Sequence, residues 1–326
     1  MTQSVRIVIT GAGGFIGSHL VETALAAGHI VTALLRYGSQ GSIGNLARIG
    51  AQEPSRLRLV FGDVRDGGQM QSLLVGADRL IHAAALIGIP YSYAAPESYF
   101  ATNVDGTLTL LQAARRAGLS RMVFVSTSEV YGSAQRPLIA EDHPLSAQSP
   151  YAASKIAAEA ACTAWANVFG LPVTVIRPFN TFGPGQSQRA VIPTILAQAL
   201  SGGPVQIGST WPERDFSFVT DTAEALLLAA THPALGTGPY NLGTGRSVSI
   251  GAVIEATAAL VGHPLDVVTD PARIRPAASE VVRLTADNAR FRAATGWTPR
   301  IDLTEGLRRT LHYLRGLPEP QRGYRT

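Results

Sequence analysis

The stretch V-R-I-V-I-T-G-A-G-G-F-I-G at residues 5–17 decides the fold of this chain. Its first six residues are mostly β-branched, which predicts a strand, and the segment 15–27 predicts a helix. Gly11, Gly14 and Gly17 connect them in the spacing G-x-x-G-x-x-G. Glycines there permit a tight turn and let the backbone approach a pyrophosphate at a helix N-terminus. This position, after a strand and before a helix, predicts a dinucleotide site.

The first half of the chain alternates short β-branched runs with helical segments. Further strands are predicted at 30–35, 57–61, 79–83, 122–126 and 172–177, and helices at 96–117 and 151–169. This alternation predicts an α/β fold, a Rossmann-type doubly wound parallel sheet with helices on both faces. After residue 178 glycine and proline interrupt the chain often. We therefore predict a dinucleotide-binding Rossmann domain at 1–178 and a smaller mixed C-terminal substrate domain at 179–326, with some late segments returning to the first.

The composition limits the possible classes of function. The chain has 326 residues, of which 46% are hydrophobic and 15% charged, and its net charge is +4. No lysine–arginine run predicts nucleic-acid binding, and no window approaches the ~20 apolar residues of a membrane span. The single cysteine, Cys162, excludes a disulfide or a cysteine-based zinc site within one chain, and no metal site is predicted. Cysteine usage and the absence of a signal peptide predict a cytoplasmic protein without nucleic-acid or membrane partners.

Tyr151 and Lys155 form the most informative pair of side chains. They are four residues apart in a predicted helix, so they share a face. An ammonium beside a phenol is expected to lower the tyrosine pKa from its ordinary value of about 10, which makes the phenol a proton acceptor near neutral pH. Thr127 and Glu129, in the run S-T-S-E-V-Y-G at 126–132, supply a hydroxyl and a carboxylate. Together these residues predict acid–base chemistry.

The end of the second predicted strand bears on which dinucleotide binds. Folds that bind NAD usually carry an acidic residue there for the ribose hydroxyls, and this chain has none. Arg36 and Ser39 can instead hold a 2′-phosphate, which favours NADP, although Arg36 can equally be a solvated surface residue. Asp63, at the end of the third strand, can accept a hydrogen bond from the adenine amino group. The expected cofactor is therefore NAD or NADP.

Several motifs together resemble those of the extended short-chain dehydrogenase/reductases. They are the glycine turn, G-D-V at 62–64, H-A-A-A at 82–85, Asn103 with G-T at 106–107, and Y-x-x-x-K at 151–155. The resemblance covers essentially the whole chain and implies a nicotinamide cofactor that stays tightly bound and is recycled within each reaction. The cofactor contacts that it adds are Phe15, Ile16, Val64, Ala83, Ala84, Ala85, Asn103, Tyr151 and Lys155.

The second half is similar to the nucleotide-sugar branch of that superfamily. The similarity lies in R-P-F-N-T-F-G-P at 177–184, R-D-F at 214–216, and R-P at 275–276 with Glu280. It implies a nucleoside-diphosphate sugar as substrate and chemistry at sugar C4. Such a substrate needs cations for its phosphates and polar groups for its pyrophosphate and ribose. The predicted substrate contacts are Asn180, Arg189, Val191, Arg214, Arg275 and Glu280.

The trio Thr127-Ser128-Glu129 narrows the reaction. Once C4 is a ketone, the C5 proton is acidic and a carboxylate beside it can remove that proton. Thr-x-Glu is typical of the 4,6-dehydratases and the UDP-glucuronate decarboxylases, whereas 4-epimerases of the superfamily usually lack the carboxylate. The dTDP-glucose 4,6-dehydratases typically carry Asp where this chain has Ser128. Serine is a poor acid, so Glu129 is expected to return the proton to the leaving oxygen itself.

The longer context most resembles the N-acetylglucosamine 4,6-dehydratases of the legionaminic-acid type. The matching runs are E-D-H-P-L at 141–145, Q-S-P-Y at 148–151 and Q-S-Q-R-A-V-I-P at 186–193, while Gly185 departs from the Arg often found in that group. The predicted function is therefore a nucleotide-sugar 4,6-dehydratase acting on UDP-N-acetylglucosamine. The alternatives are a UDP-glucuronate decarboxylase, a 5,6-dehydratase, a 4-epimerase and a catalytically inactive cofactor-binding protein. The predicted catalytic residues are Thr127, Ser128, Glu129, Tyr151 and Lys155.

Two secondary predictions concern a histidine and the quaternary structure. His143, in a proline-rich loop, is a weak candidate for acid–base catalysis. Amphipathic helices at about 97–117 and 151–169 predict a homodimer through a four-helix bundle, although the sequence does not exclude a monomer.

Overall fold

The computed structural model describes residues 4–38, 40–49, 55–274 and 281–317. Three predicted ligand contacts, Ser39, Arg275 and Glu280, lie outside these ranges.

The helices of the described part are α1 Phe15–Ala26, α2 Gly67–Leu73, α3 Ile89–Ala94, α4 Pro96–Phe100, α5 Gly106–Ala117, α6 Pro150–Phe169, α7 Val191–Ser201, α8 Val219–Thr231, α9 Ile250–Val261, α10 Ala289–Thr295 and α11 Leu303–Arg315. The strands are β1 Arg6–Thr10, β2 Ile30–Arg36, β3 Leu57–Gly62, β4 Arg79–His82, β5 Arg121–Val125, β6 Val173–Pro178, β7 Asn180–Phe182, β8 Val205–Ile207, β9 Glu213–Arg214, β10 Phe216–Phe218, β11 Gly238–Leu242, β12 Val248–Ser249, β13 Val267–Thr269 and β14 Arg283–Leu284.

The main sheet has seven strands within the described residues, in the order β11-β6-β5-β4-β1-β2-β3. Every pairing in it is parallel, from Ile9 opposite Ala33 between β1 and β2 to Tyr240 opposite Ile176 between β11 and β6. Parallel neighbours need crossover connections, which here are mostly helices packed on the sheet. The predicted Rossmann-type α/β fold is confirmed.

The two faces of the sheet carry separate hydrophobic cores. Ile7 and Ile9 of β1 pack into the core that includes α1 and α8, while Val8 packs into the core on the opposite face with α2, α5 and α6. This division follows from the two-residue period of strand side chains. Cys162 is fully buried in the second core, and burial raises the pKa of its thiol. It packs as a small hydrophobic residue.

The two long predicted helices differ in regularity. The first is split into α4 and α5 by a wider π-type turn over Ala101–Asp105 that contains Asn103. Such turns are frequent at functional sites. The second is α6, which begins at Pro150 after the N-cap Ser149 and ends before Gly170 in a left-handed conformation with φ 68°. These are the residue types that start and stop a helix, so its bounds were readable from the sequence.

The C-terminal part combines small sheets with a third core. β7 pairs with β10, β9 with β12 and β14, and β8 with β13. Phe182, Ile195, Phe218, Val253 and Leu311 pack together there. The chain returns to the main sheet through α8, which packs on α1, and β11, which pairs with β6. The division of the chain at residue 178 stays a prediction.

No helix in the described ranges is long and apolar enough to cross a membrane. Among the same residues, no three His, Cys, Asp or Glu side chains are grouped so that they could hold a metal ion.

Candidate active site

The predicted dinucleotide turn connects β1 to α1. Gly11 is left-handed, with φ 69°, and a β-carbon there would come within 2.7 Å of the Ala84 backbone nitrogen. A β-carbon on Gly17 would collide with the Gly11 carbonyl oxygen. Gly14 is the N-cap of α1, which has neither a side-chain cap nor an acidic residue in its first turn. The N–H groups of that turn can therefore bind an anion, which fits the pyrophosphate of a dinucleotide.

The candidate residues gather where the strand order reverses. β1 lies between β2 and β4, so successive crossovers run in opposite directions and leave a crevice at the carboxyl ends of the strands. The alanines at 83–85 follow β4, Thr127 follows β5, and Asn180 follows β6. The sheet topology thus brings the cofactor, acid–base and substrate candidates to one edge of the sheet.

A buried chain of hydrogen bonds runs from β1 towards the helix that carries Tyr151. The His82 ring bonds the hydroxyls of Thr10 at 2.8 Å and Thr107 at 3.1 Å. Thr107 donates to the Asn103 carbonyl oxygen at 2.6 Å. Burial lowers the pKa of His82 to about 3, so its ring is neutral and acts as a structural connector.

Asn103 holds two segments together. Its side chain accepts from Leu86 N at 2.9 Å and donates to Leu86 O at 3.0 Å and to Ser154 Oγ at 2.9 Å. Ser154 donates in turn to the Tyr151 carbonyl oxygen at 2.7 Å. Asn103 therefore positions the segment after β4 against α6, and its direct contact with the cofactor stays a prediction. Sequence reasoning missed Ser154, because its role depends on a contact with a residue 51 positions away.

Tyr151 lies beside Thr127 and is almost fully enclosed by its neighbours. Its side chain is buried, packs edge-on against Tyr99 and lies near the Thr127 side chain. Burial raises the pKa of Tyr151, the nearby Thr127 hydroxyl lowers it, and the charge of Glu129 raises it further. The prediction that Lys155 lowers this pKa is wrong for this structure, since desolvation of the phenol dominates.

The Lys155 ammonium points towards the sheet. Its Nζ donates to the Val125 carbonyl oxygen at 2.7 Å and lies 4.1 Å from the centre of the Phe124 ring. Burial lowers the pKa of Lys155 to about 8, against a raising effect of Glu159. Tyr151 and Lys155 do share one face of α6, as predicted, but β5 holds the ammonium away from the phenol.

Ser128 and Glu129 lie on a short helical turn, Ser128–Tyr131, whose N-cap is Thr127. The Thr127 hydroxyl accepts from Glu129 N at 3.2 Å, so the threonine beside Tyr151 also fixes the start of this turn. Ser128 is buried and Glu129 is half-buried. The carboxylate, the phenol and the threonine hydroxyl therefore belong to one site, as the sequence predicted, while their catalytic roles stay predictions.

The adenosine side of the predicted cofactor site has an unexpected ion pair. Asp63 binds Arg65, with the closest contact at 2.6 Å, and this hydrogen bond is the main cause that lowers the pKa of Asp63. Arg36 is exposed at the end of β2, and its charge also lowers this pKa. Val64 is buried, and a β-carbon on Gly106 would come within 2.8 Å of it. The adenine contact of Asp63 and the phosphate contact of Arg36 stay predictions.

The predicted substrate residues occupy different environments. Asn180 Oδ1 is buried and has no hydrogen-bond partner among the described residues, which suits an atom that meets a ligand. Arg189 is exposed, just before Val191 opens α7. Arg214 is buried and donates through Nη1 to Glu213 O and Val281 O. These contacts with substrate stay predictions.

Asp215, next to Arg214 in the R-D-F motif, has a structural role that the sequence did not reveal. It is fully buried and accepts from Thr244 N, Thr244 Oγ1, Gly245 N and Ala286 N at 2.6–3.1 Å. Burial raises its pKa while these hydrogen bonds lower it. Asp215 therefore joins the loop after β11 to the segment after β14.

Packing explains why residue 185 is a glycine and why His143 is buried. Gly185 has φ 83°, and its carbonyl oxygen accepts from Asn45 Nδ2 at 2.9 Å, so an Arg there would be strained and would crowd Asn45. His143 is buried, accepts from Gln135 N at 3.0 Å and packs edge-on against Tyr131. His143 is a structural residue in this arrangement.

The fold and the site define a nicotinamide-dependent enzyme of the extended short-chain dehydrogenase/reductase class. A family model described as GDP-mannose 4,6 dehydratase matches residues 8–310. The chain belongs to this family.

Named relatives agree with this assignment. The chain is 33% identical over 327 residues to a dTDP-glucose 4,6-dehydratase of Actinoplanes sp., covering 95% of this chain and 98% of that protein. It is 34% identical over 318 residues to a UDP-glucose 4-epimerase of Mycolicibacterium smegmatis, covering 95% and 99%. The crystal structure of a dTDP-glucose 4,6-dehydratase, DesIV from Streptomyces venezuelae with NAD bound, superposes with a TM-score of 0.86 at 32% identity, covering 95% and 97%. The activity is thus of the nucleotide-sugar 4,6-dehydratase or epimerase type.

Proposed function

We propose that the protein is a nucleotide-sugar 4,6-dehydratase whose substrate is UDP-N-acetylglucosamine. The position of Glu129 carries this proposal: it lies on the turn capped by Thr127, close enough to Tyr151 that its charge adds to burial in raising the pKa of the phenol. A 4-epimerase removes no C5 proton and has no use for this carboxylate. The chain is 33% identical to a dehydratase and 34% identical to an epimerase, so the proposal rests on the site residues. The choice of N-acetylglucosamine rests on the sequence similarity alone.

The residues have separate roles in the proposed reaction. Tyr151 takes the proton of the C4 hydroxyl and Thr127 orients the phenol. Lys155, whose ammonium is bound to the Val125 carbonyl in this structure, adds positive charge on the same helix from a distance. A nicotinamide dinucleotide whose pyrophosphate is held by the glycine turn would supply a hydride acceptor for C4 when oxidised, a hydride donor for C6 when reduced, and a positive charge in its oxidised form that favours the phenolate. Glu129 makes both proton transfers of the elimination: it removes the C5 proton and returns it to the C6 oxygen, which leaves as water. Reduction at C6 then needs a proton at C5, which Tyr151 returns from its phenol, so both residues end as they began. Ser128, in place of an acid, leaves both proton transfers to Glu129.

The proposed binding residues for the nucleotide sugar begin at Asn180, which follows the carboxyl end of β6, and continue into the C-terminal part of the chain. Asn180 contributes a buried oxygen without a partner in the described part of the chain, a costly arrangement unless a ligand donates to it. The other proposed substrate contacts within the described residues are Arg189, Val191 and Arg214. Two further proposed contacts, Arg275 and Glu280, lie outside the described residues. The cofactor is NAD or NADP, since the exposed Arg36 favours NADP and the structural neighbour binds NAD.

A UDP-glucuronate decarboxylase is the second candidate, because it needs the same Thr-x-Glu trio. It would also need a cation for the C6 carboxylate, and Arg189 is the candidate by motif. Arg189 is exposed just before α7, whereas a cation that binds the C6 carboxylate of a sugar would be expected to line an enclosed pocket.

A mass-spectrometric screen tests the proposal. The purified protein is incubated without added reductant with UDP-N-acetylglucosamine, UDP-glucose, UDP-glucuronate, dTDP-glucose and their GDP counterparts. We expect loss of one water from UDP-N-acetylglucosamine. Loss of carbon dioxide from UDP-glucuronate would replace the proposal by the decarboxylase. An unchanged mass with a changed sugar proton spectrum would indicate an epimerase.

We also propose that the enzyme is a homodimer through a four-helix bundle of α4–α5 and α6. These helices pack together and expose apolar side chains, among them Phe100 at 41% and Val168 at 71%. Sedimentation should give twice the chain mass of 34.3 kDa. The double variant Phe100→Glu/Val168→Glu should be monomeric, because buried unpaired carboxylates oppose association. Val75→Glu, on the equally exposed loop after α2, is the control and should remain dimeric. A monomeric wild type, or a dimer that survives both substitutions, would contradict this interface.

A further inference from the structure

A buried ion pair lies two helical turns from Tyr151. Tyr151, Lys155 and Glu159 are spaced by four residues on α6 and so lie along one face. The Glu159 carboxylate binds Arg177 of β6 through Nε at 3.0 and 3.2 Å and through Nη2 at 2.5 Å. Both side chains are at least nine-tenths buried. The pair therefore fixes α6 to the strand that leads to Asn180.

The same pair holds both ends of the segment that carries Glu129. At one end, Ser126 donates through Oγ to Glu159. At the other end, the Tyr131 hydroxyl accepts from Arg177 Nη1 at 2.8 Å. Residues 126–131 thus form a short loop tied at its first and last residue to one rigid point, with Glu129 between them.

The Tyr131 phenol is fixed on its other side as well. Its hydroxyl donates to Asn241 Oδ1 at 2.7 Å, and Asn241 Nδ2 donates to the Ile139 carbonyl oxygen at 2.8 Å. Tyr131 and Asn241 are fully buried, and Arg177 stacks over the Tyr131 ring at 4.9 Å. Because the hydroxyl accepts one hydrogen bond and donates another, its orientation is fixed. The position of Arg177 therefore fixes Tyr131, the last residue of the turn that carries Glu129.

We propose that Tyr131, held by the Arg177–Glu159 pair, is a positioning residue that sets where the Glu129 carboxylate stands relative to Tyr151. This inference rests on the proposed function, in which Tyr151 acts at C4 and Glu129 acts at C5. Oxidation at C4 needs only Tyr151, Thr127 and Lys155, whereas loss of water also needs Glu129 within reach of the C5 proton. Displacing the turn should therefore slow the second step more than the first.

The test compares Tyr131→Phe with wild type and with the control Tyr240→Phe. Phenylalanine keeps the ring and removes the hydroxyl. Tyr240 is also a buried tyrosine, and its hydroxyl accepts from Gly236 N at 3.2 Å, away from the 126–131 segment. Three quantities are measured: hydrogen–deuterium exchange of peptides covering 126–132, absorbance of the reduced nicotinamide after substrate is added, and the kcat and KM for water loss.

We expect Tyr131→Phe to exchange faster in 126–132 and to lose water about 10- to 100-fold more slowly, with little change in KM. Reduced nicotinamide should accumulate, because oxidation continues while elimination lags. The Tyr240→Phe control should match wild type in all three. Unchanged exchange in 126–132, or equal slowing of both steps, would overturn the positioning role. If wild type loses no water from any nucleotide sugar, the proposed function fails, and the exchange comparison alone decides whether Tyr131 holds the turn.

Discussion

Glu129→Gln should slow loss of water by about 10²- to 10⁴-fold while reduction of the bound cofactor by the nucleotide sugar persists. Glutamine keeps the shape of the side chain but cannot take the C5 proton. Glu129 is half-buried on the turn capped by Thr127, and because glutamine has nearly the same size the substitution leaves no large cavity there. Reduced nicotinamide should therefore accumulate, and deuterium from the solvent should not appear at C5.

Two matched substitutions separate this effect from general damage. Glu97→Gln makes the same change at an exposed position of α4 and should leave the rate unchanged. Ser128→Ala should lower the rate only a few-fold, since a serine hydroxyl is too weak an acid to protonate the leaving oxygen. If Glu129→Gln turned over at the wild-type rate, the dehydratase proposal would lose its base. Equal loss of cofactor reduction would place Glu129 in the C4 step instead.

Arg177→Met should lower the free energy of unfolding by about 3–5 kcal/mol, because it leaves the Glu159 carboxylate buried without its partner. Burial lowers the pKa of Arg177, but the hydrogen bond and charge of Glu159 more than offset it, so the guanidinium stays charged. The side chains of both residues are only 5% and 7% exposed.

The double variant Arg177→Met/Glu159→Leu should be less destabilised than Arg177→Met alone, since no unpaired charge remains. Arg136→Met removes the exposed ion pair with Asp142, at 3.3 Å, and should change stability little. The measurement is urea unfolding at one fixed protein concentration and cofactor load. A single variant as stable as Arg136→Met would show that solvent reaches Glu159 and that the pair is not a rigid anchor.

Features that depend on the local order of residues were predictable before the structure was known. The strand–glycine–helix stretch at 5–17 and the alternation of strands and helices predicted the confirmed sheet. The four-residue spacing of Tyr151 and Lys155 placed both on one helix face. The neighbouring Thr127 and Glu129 were predicted to share their site for the same reason, because adjacent residues cannot move far apart.

The electrostatics of the site and the buried hydrogen bonds that hold it depend on the tertiary fold. The predicted fall in the Tyr151 pKa was wrong for two reasons. The phenol is buried against Tyr99, which raises its pKa, and the Lys155 ammonium donates to the Val125 carbonyl of β5. The partners of Tyr131 lie 46 and 110 positions away, and no local period signals them. Desolvation and buried hydrogen bonds depend on which distant segments pack together, whereas strands, helices and turns depend on neighbours along the chain.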